Sequence, residues 1–411
     1  MKILTISTLY PNEQEPKHGI FVRNRLKQLR EHFPDVEAKV IAPVPWFPFK
    51  VKSGPLSEYA KFVGVSSEEI RDGIQVLHPR YLVIPKIGMY LTPIFLYFAM
   101  RRAARKLLDQ GYNFDLIDGH YFFPDGVAIE RLAKSIGKPF TITARGTDVN
   151  FIPQFPRARK MISSVAKHAA AAITVCKALK DSLLEFADVE EKTTVLRNGV
   201  DLTFFTLTDK LQQDKLKLEK WNVSADKKLI ISVGHLIERK GHCLVIESLF
   251  LNENWDLIIA GDGPDRALLE SIVVRNKLQG RVRFTGALEQ GELKELYQAA
   301  DALVLASSRE GWANVLLESM ACGTSVVATN LWGTPEVVAA EEAGVLVDRD
   351  AKDIARGISS LLSRQIDRGA TRRYAEGFDW YDTSKGQYDI FNQIINKQHV
   401  TYESIPVNNS K

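Results

Sequence analysis

The chain has 411 residues, 45% of them hydrophobic and 25% charged, with 54 Lys and Arg against 50 Asp and Glu for a net charge of +4. Such a length is expected to form two or three domains with sizeable cores. A basic excess this mild is too small to argue for a nucleic-acid partner, while it tolerates an anionic membrane face or a phosphorylated acceptor. Three cysteines, Cys176, Cys243 and Cys322, lie in apolar contexts without metal-ligand spacing and point to a reduced, cytoplasmic compartment.

Taken in order, MKILTISTLYPN reads as a first buried strand, since its apolar run is too short for a signal-peptide core. A polar loop over 11–19 follows, then an amphipathic helix over 20–32 and a strand over 38–42. The segment 43–55, PVPWFPFKVKSGP, is expected to be irregular, because proline fixes φ and removes N–H donors. Its aromatics and lysines suit a sugar-lipid acceptor or a membrane surface, and equally a packed connection. The region 87–106 is the most apolar. Pro93 interrupts it, it falls short of the ~18 apolar residues that cross a bilayer, and Arg101, Arg102, Arg105 and Lys106 follow at once. It reads either as a buried helix with a solvated basic end or as a monotopic contact, apolar face in the interface and arginines on anionic headgroups. Strands are expected over 115–118, 139–144, 171–175 and 193–196, and a charged surface helix over 210–222.

The alternation then resumes. A strand over 228–233 ends in Gly234, a helix covers 243–251, and a strand over 256–260 leads into Gly261-Asp262-Gly263-Pro264. Further strands are expected over 281–284, 302–305, 325–328 and 344–347, with helices over 314–322 and 353–362. Alternating strands and helices predict an α/β chain of two Rossmann-like halves. The lone G-x-G at 261–263 does not justify a dinucleotide site, because the full G-x-G-x-x-G of a βαβ unit is missing.

The stretch 306–329, ASSREGWANVLLESMACGTSVVAT, carries the chemistry. Glu310 falls in a strand-to-helix loop at a strand's carboxyl end, where ligands bind in open α/β sheets. Glu318 projects from the early turns of the following helix, which Gly323 ends. The N–H groups near Asn314, Val315 and Leu316 form a helix N-terminus that attracts phosphate. Two ionised carboxylates only accept hydrogen bonds, so they suit the hydroxyls of a sugar or ribose.

The order Glu-Gly-Trp, then Glu-Ser-Met-Ala-Cys-Gly-Thr-Ser-Val-Val-Ala-Thr, resembles the E-G-x6-E-x-M-A-x-G-x-P-V-V-A block of retaining GT-B glycosyltransferases of family 4, including bacterial surface-polysaccharide and teichuronic-acid-type enzymes. Ser325 replaces the usual proline and Ser319 a common alanine. Other segments carry the likeness further. The first loop, with Gly19, resembles the family loop where glycine lets backbone approach the donor diphosphate and the acceptor. His120, before Phe-Phe-Pro-Asp-Gly, resembles the family histidine that lines the reaction centre. Arg145-Gly146-Thr147-Asp148 resembles H-G-x-D with arginine in place of histidine, which implies an acceptor-binding role for Arg145 and Asp148 and suggests an anionic acceptor. Asn198-Gly199-Val200-Asp201 resembles N-G-V-D at the end of the first domain. His235, Arg239 and Lys240 stand where relatives place cations on the departing diphosphate, with His235 replacing an arginine. Trp332-Gly333-Thr334-Pro335-Glu336 resembles G-G-x-P-E.

The resemblance implies a GT-B fold with an acceptor domain over 1–203, a nucleotide-sugar domain over 204–378, a helix over 379–400 returning to the first domain, and a disordered tail over 401–411. The active site is expected in a cleft between the halves, where Glu310, Lys240 and His120 converge. His120 and Glu310 are the expected catalytic residues, Glu310 orienting the donor sugar. Gly261, Gly263, Leu288 and Glu318 are expected to contact the nucleoside, Glu318 through the ribose hydroxyls. The reaction implied is hexosyl transfer from a nucleotide diphosphate sugar to a saccharide or lipid-linked saccharide, with the leaving diphosphate helping to deprotonate the attacking hydroxyl. No DxD motif lies in a donor position, so neither a metal nor another cofactor is expected. A nucleotide-sugar epimerase or phosphorylase on the same fold, and a non-catalytic carbohydrate-binding assembly subunit, are the alternatives. A phosphorylase would need a pyridoxal-binding lysine, and none is identified; the intact Glu310, Lys240 and Glu318 set argues against the subunit.

Overall fold

The computed structural model describes residues 1–46, 61–84, 88–364 and 366–403. Most of the 43–55 segment, the first residue of 87–106 and the tail beyond 403 lie outside the described residues. The chain divides into two compact units, Met1–Arg197 with Trp380–Lys411, and Asn198–Asp379.

In the first unit, eight described strands form one sheet: β1 (Lys2–Ile6), β2 (Glu37–Ile41), β4 (Glu68–Arg71), β5 (Ile74–Leu77), β7 (Leu116–His120), β8 (Phe140–Ala144), β9 (Ala171–Thr174) and β10 (Thr193–Val195). Their order is β10-β9-β8-β7-β1-β2-β5-β4, and β3 (Val44–Trp46) pairs separately with β6 (Arg80–Leu82). All the sheet's pairs are parallel except β4 with β5. That hairpin turns on Asp72-Gly73, both at positive φ, a strong hairpin signal that the sequence reading passed over. The expected irregular loop at 43–55 is therefore a strand over its first residues.

Helix α1 (Ile20–His32) buries Val22, Arg25, Leu26 and Leu29, the i, i+3, i+4, i+7 face of an amphipathic helix. Against it lies the C-terminal helix, Trp380–Glu403, which runs three residues into the expected disordered tail. Phe33 stacks on Tyr388 and Phe391 joins the same core. Helix α2 (Thr92–Asp109) begins with Pro93 in its first turn, where a proline lacks no needed hydrogen bond. Pro93 therefore starts the helix and does not interrupt it. The apolar face of α2, with Leu96, Met100, Ala104 and Leu107, is buried in this unit and packs on α3 (Val127–Ile136). That corrects the reading in which this face enters a membrane; what α2 exposes is Phe98 with its basic residues. Among the described residues no helix is long and apolar enough to cross a membrane.

The second unit is a parallel sheet of six described strands in the order β13-β12-β11-β14-β15-β16. They are β11 (Lys228–Val233), β12 (Trp255–Ala260), β13 (Val282–Gly286), β14 (Ala302–Leu305), β15 (Val326–Thr329) and β16 (Gly344–Val347). Between them run α4 (His242–Ser248), α5 (Arg266–Arg275), α6 (Gln290–Ala299) and α7 (Asn314–Ala321), followed by α8 (Ala351–Ser363) and α9 (Arg368–Glu376). The order reverses between β11 and β14, the switch point where such sheets bind ligands. The stretch after Lys210 is less superficial than its charge suggests. Lys217 is buried, with its ammonium 2.8 Å from Asp301, and Gln213 donates to the Ala300 carbonyl. The expected domain boundary at 203/204 falls inside this unit. Val200 N–H donates to the Phe378 carbonyl, and the Arg372 guanidinium donates to the carbonyls of Leu202 and Phe205.

Replacing Phe391 by alanine should cost ~3–5 kcal/mol in urea denaturation. A loss below ~1 kcal/mol would show that the C-terminal helix is not part of the first unit's cooperative core.

Candidate active site

At the switch point of the second sheet, two loops are locked together by a glycine. Gly241 sits at φ 69, and a Cβ there would lie 2.2 Å from the Ala306 carbonyl oxygen. The backbone of the β11 loop therefore rests directly on the end of β14. Ser308 N–H donates to the Arg239 carbonyl at 2.8 Å, and Arg349 donates to the carbonyls of Ala306 and Glu238. Arg349 lies in the β16 loop and was missed in the sequence, where nothing marks it.

This contact brings the Lys240 ammonium 2.6 Å from Glu310 Oε1, with Arg239 Nη1 at 3.8 Å from the same oxygen. Arg239 Nη1 also donates to the Arg309 carbonyl at 2.7 Å. Burial alone would push the Glu310 carboxyl up, but the Lys240 ammonium beside it holds it below the usual carboxylate range. Glu310 and Lys240 thus form a charged pair, while His235 is exposed.

Glu318 lies one helix turn beyond the start of α7. Its Oε2 accepts from the Tyr297 hydroxyl at 2.9 Å. Burial pushes its carboxyl up to about 7, against the downward pull of that hydrogen bond. Asn314 begins α7, its side-chain oxygen accepting from Asn198 Nδ2 at 3.3 Å. The Leu316 amide, expected to face a phosphate, donates instead to the Ala313 carbonyl at 3.0 Å. That leaves Asn314 and Val315 to present the helix N-terminus.

Gly261 and Gly263 were expected to admit a nucleotide. Their Cβ positions would fall 1.9 Å from the Gly234 carbonyl oxygen and 2.4 Å from that of Leu236. The close approach they permit is that of the neighbouring β11 loop, so internal packing accounts for both. Leu288 is half-buried just past β13.

The first unit places its expected residues in a buried polar chain. His120 ends β7 and is 1% exposed. Arg145 Nη2 lies 2.7 Å from His120 Nδ1, and a guanidinium can only donate. Nδ1 is therefore the acceptor, and Nε2–H faces Asp118 Oδ2 at 3.2 Å. Burial lowers the imidazole to about 4 despite the Asp118 charge, so the ring is neutral at physiological pH. With both nitrogens committed, His120 is an anchor for Arg145 and not a ready proton shuttle. Arg145 is enclosed with it: burial lowers its guanidinium to about 9, which leaves it charged at neutral pH. Asp148 corrects more sharply. It is fully buried and accepts from the amides of Phe122, Arg145 and Gly146, so it shapes the loop and is closed to an acceptor. Gly19, at φ 64, would put a Cβ 2.2 Å from the Leu9 carbonyl carbon, which explains its glycine by local packing.

The sequence reading missed Asp118, Arg25 and Gln387, which complete the chain. Arg25 Nε donates to Gln387 Oε1 at 2.7 Å, and Gln387 Nε2 to Asp118 Oδ2 at 3.4 Å. No spacing rule links residues this far apart in sequence.

Comparison with known proteins finds likeness along most of the chain. Residues 59–204 match Glycosyltransferase Family 4, and residues 213–378 match Glycosyl transferases group 1. The chain is 25% identical over 393 residues to TuaC of Bacillus subtilis, named as a teichuronic acid biosynthesis glycosyltransferase, covering 95% of each chain. It is 24% identical over 274 residues to the N-acetyl-alpha-D-glucosaminyl L-malate synthase of Bacillus anthracis, covering 65% of this chain and 70% of that one. Among solved structures, sucrose-phosphate synthase from Thermosynechococcus elongatus superposes with a TM-score of 0.78 at 19% identity, over 97% of this chain and all of that one. HepE of Anabaena, solved with UDP and glucose, gives 0.73 at 19% identity, over 96% and 100%. These likenesses establish the GT-B fold.

Replacing Lys240 by methionine would leave Glu310 buried without its main partner. The stability that Glu310 gains from a depressed pKa is present above the unfolded carboxyl value and lost as pH falls through the folded one. Thermal and urea denaturation should therefore show the variant ~3 kcal/mol less stable at pH 7, with the gap closing below about pH 4. A gap independent of pH would contradict the pairing.

Proposed function

The chain belongs to the glycosyl transferases of group 1 and family 4, and on that premise we propose that it is a retaining enzyme moving a hexosyl group from a nucleotide diphosphate sugar to an anionic saccharide or lipid-linked saccharide in surface polysaccharide synthesis. The observation that carries this reading is the Lys240–Glu310 pair at the carboxyl end of a parallel sheet, with a helix N-terminus and Glu318 beside it.

In this reading the second unit holds the donor. Lys240 and Arg239 turn toward the diphosphate, whose negative charge grows as the glycosidic bond breaks, so fixed cations stabilise the transition state more than the bound donor. The Asn314 and Val315 amides add the dipole of α7. Glu310, released from Lys240, accepts from the donor sugar's hydroxyls and orients the ring. Glu318 accepts from the ribose hydroxyls. The departing phosphate oxygen takes the proton of the attacking hydroxyl on the face it leaves, so the anomeric configuration is kept and no protein nucleophile is needed. The cations already present meet the diphosphate charge, so turnover is expected to need no divalent metal.

The first unit receives the acceptor through Arg145, whose guanidinium is oriented by His120. A guanidinium still charged at neutral pH there favours a uronate or phosphate. The TuaC relative, named for teichuronic acid biosynthesis, supports that class. A peripheral station on the inner membrane face is supported by the outer side of α2, where Phe98 is 59% exposed beside Arg101, Arg102 and Arg105. Such a surface suits anionic headgroups.

Two outcomes test these assignments. Arg145→Ala should cut kcat/KM for a uronate- or phosphate-bearing acceptor at least tenfold and spare a neutral one; equal loss on both would remove the anionic-acceptor assignment. The triple variant Arg101→Glu, Arg102→Glu, Arg105→Glu should lose binding to phosphatidylglycerol vesicles in a sedimentation assay that the parent passes, and unchanged binding would remove the membrane face.

A further inference from the structure

We infer that Tyr297, a residue of α6 outside the motif block, is a positioning residue that fixes the Glu318 carboxyl for the nucleoside; the inference rests on the ribose role of Glu318 proposed above. The hydroxyl of Tyr297 donates to Glu318 Oε2 at 2.9 Å. A carboxylate bonded through one oxygen is held to one rotamer and presents the other oxygen, Oε1, to a diol.

The tyrosine is itself immobile. It is fully buried, its ring packs edge-on against Phe205 at 6.1 Å between centroids, and its carbonyl accepts from Thr324 Oγ1 at 2.6 Å. Thr324 follows the glycine that ends α7, and its own carbonyl accepts from Ser319 Oγ at 2.9 Å. Arg368 donates to the carbonyls of Gln298, Ala300 and Cys322, which ties the end of α6 to the end of α7. The two helices that carry the hydroxyl and the carboxyl are thus fixed to each other, and the 2.9 Å contact is built in.

This contact has a second effect. The ionised form of Glu318 is the one that accepts from ribose, and enclosure opposes ionisation. The Tyr297 hydroxyl gives the hydrogen bond that favours the charged form, and the Cys322 thiol near Glu318 is pushed up to about 12 and stays neutral. Without that hydroxyl the carboxyl titrates higher and the fraction ready for ribose at neutral pH falls. A protonated Glu318 places a donor where the ribose also donates, so donor affinity rises with pH through the Glu318 midpoint and then levels.

The test is a set of binding titrations across pH 5.5–9 with UDP-glucose, ADP-glucose and GDP-mannose, whose diphosphate diesters do not titrate in this window. The tightest binder to the parent is carried through Tyr297→Phe and Glu318→Gln. The parent should show a rise in affinity centred near neutrality. Tyr297→Phe should move that rise to higher pH and weaken binding at pH 6.5 by about 2- to 10-fold. In turnover, the donor KM should rise more than kcat falls. Replacing Tyr297 with 3-fluorotyrosine, a stronger donor of the same shape, should move the rise to lower pH, and it keeps the test intact if Tyr297→Phe folds poorly. A Tyr297→Phe profile that superimposes on the parent while Glu318→Gln flattens it would overturn the role of Tyr297 alone. A Glu318→Gln profile identical to the parent would overturn the ribose reading and this inference with it.

Discussion

A lysine and a glutamate 70 residues apart in sequence meet at 2.6 Å because one residue between their loops has no side chain. Gly241 lets the β11 loop lie on the backbone of β14, and any Cβ there would displace it. The cations of one loop and the carboxylate of the other then share an enclosed space, where charge interactions are stronger than in water. Without ligand, Lys240 and Glu310 neutralise each other, which keeps a buried charge from standing alone. The proposed nucleotide-sugar donor carries the complement of both: phosphate for the ammonium, hydroxyls for the carboxylate. The same neighbourhood holds Glu318 on a separate rigid support, through Tyr297.

The first unit uses buried polarity differently. Arg25, Gln387, Asp118, His120 and Arg145 form a chain from the α1 and C-terminal helices to the loop after β8. Each link is directional, so the Arg145 guanidinium is fixed by a ring whose tautomer Asp118 decides. The C-terminal helix contributes a link in that chain as well as the Phe391 and Tyr388 packing surface. The returning helix expected from the sequence is therefore also part of the first unit's buried polar chain.

Much of this was legible beforehand. Strands β1, β11, β12, β14 and β15 are short apolar runs closed by glycine or polar loops, and both glutamates fall where the strand-to-helix order puts them. The family likeness also located Lys240, His120 and Arg145. What the sequence concealed is pairing across distance. It brought Lys240 and Glu310 to one site without showing that they pair, made Asp148 an acceptor contact when three backbone amides hold it, and made Gly261 and Gly263 nucleotide contacts when a neighbouring loop needs their bare Cα. The apolar run of α2 reads alike whether it faces lipid or α3. Asp118, Gln387 and Tyr297 carry no local pattern at all, because what matters about each is a partner on another element.

The proposed exchange of Lys240 from Glu310 to phosphate is measured most directly by the binding of a plain nucleoside diphosphate to Glu310→Gln. Removing the Glu310 charge frees Lys240 and takes an anion away from the diphosphate. Calorimetric titration with UDP, ADP and GDP should therefore show the variant binding its preferred diphosphate as tightly as the parent or tighter, while binding of the corresponding nucleotide sugar weakens. A variant that loses the plain diphosphate as well would contradict the assignment of Lys240 to phosphate and Glu310 to the sugar.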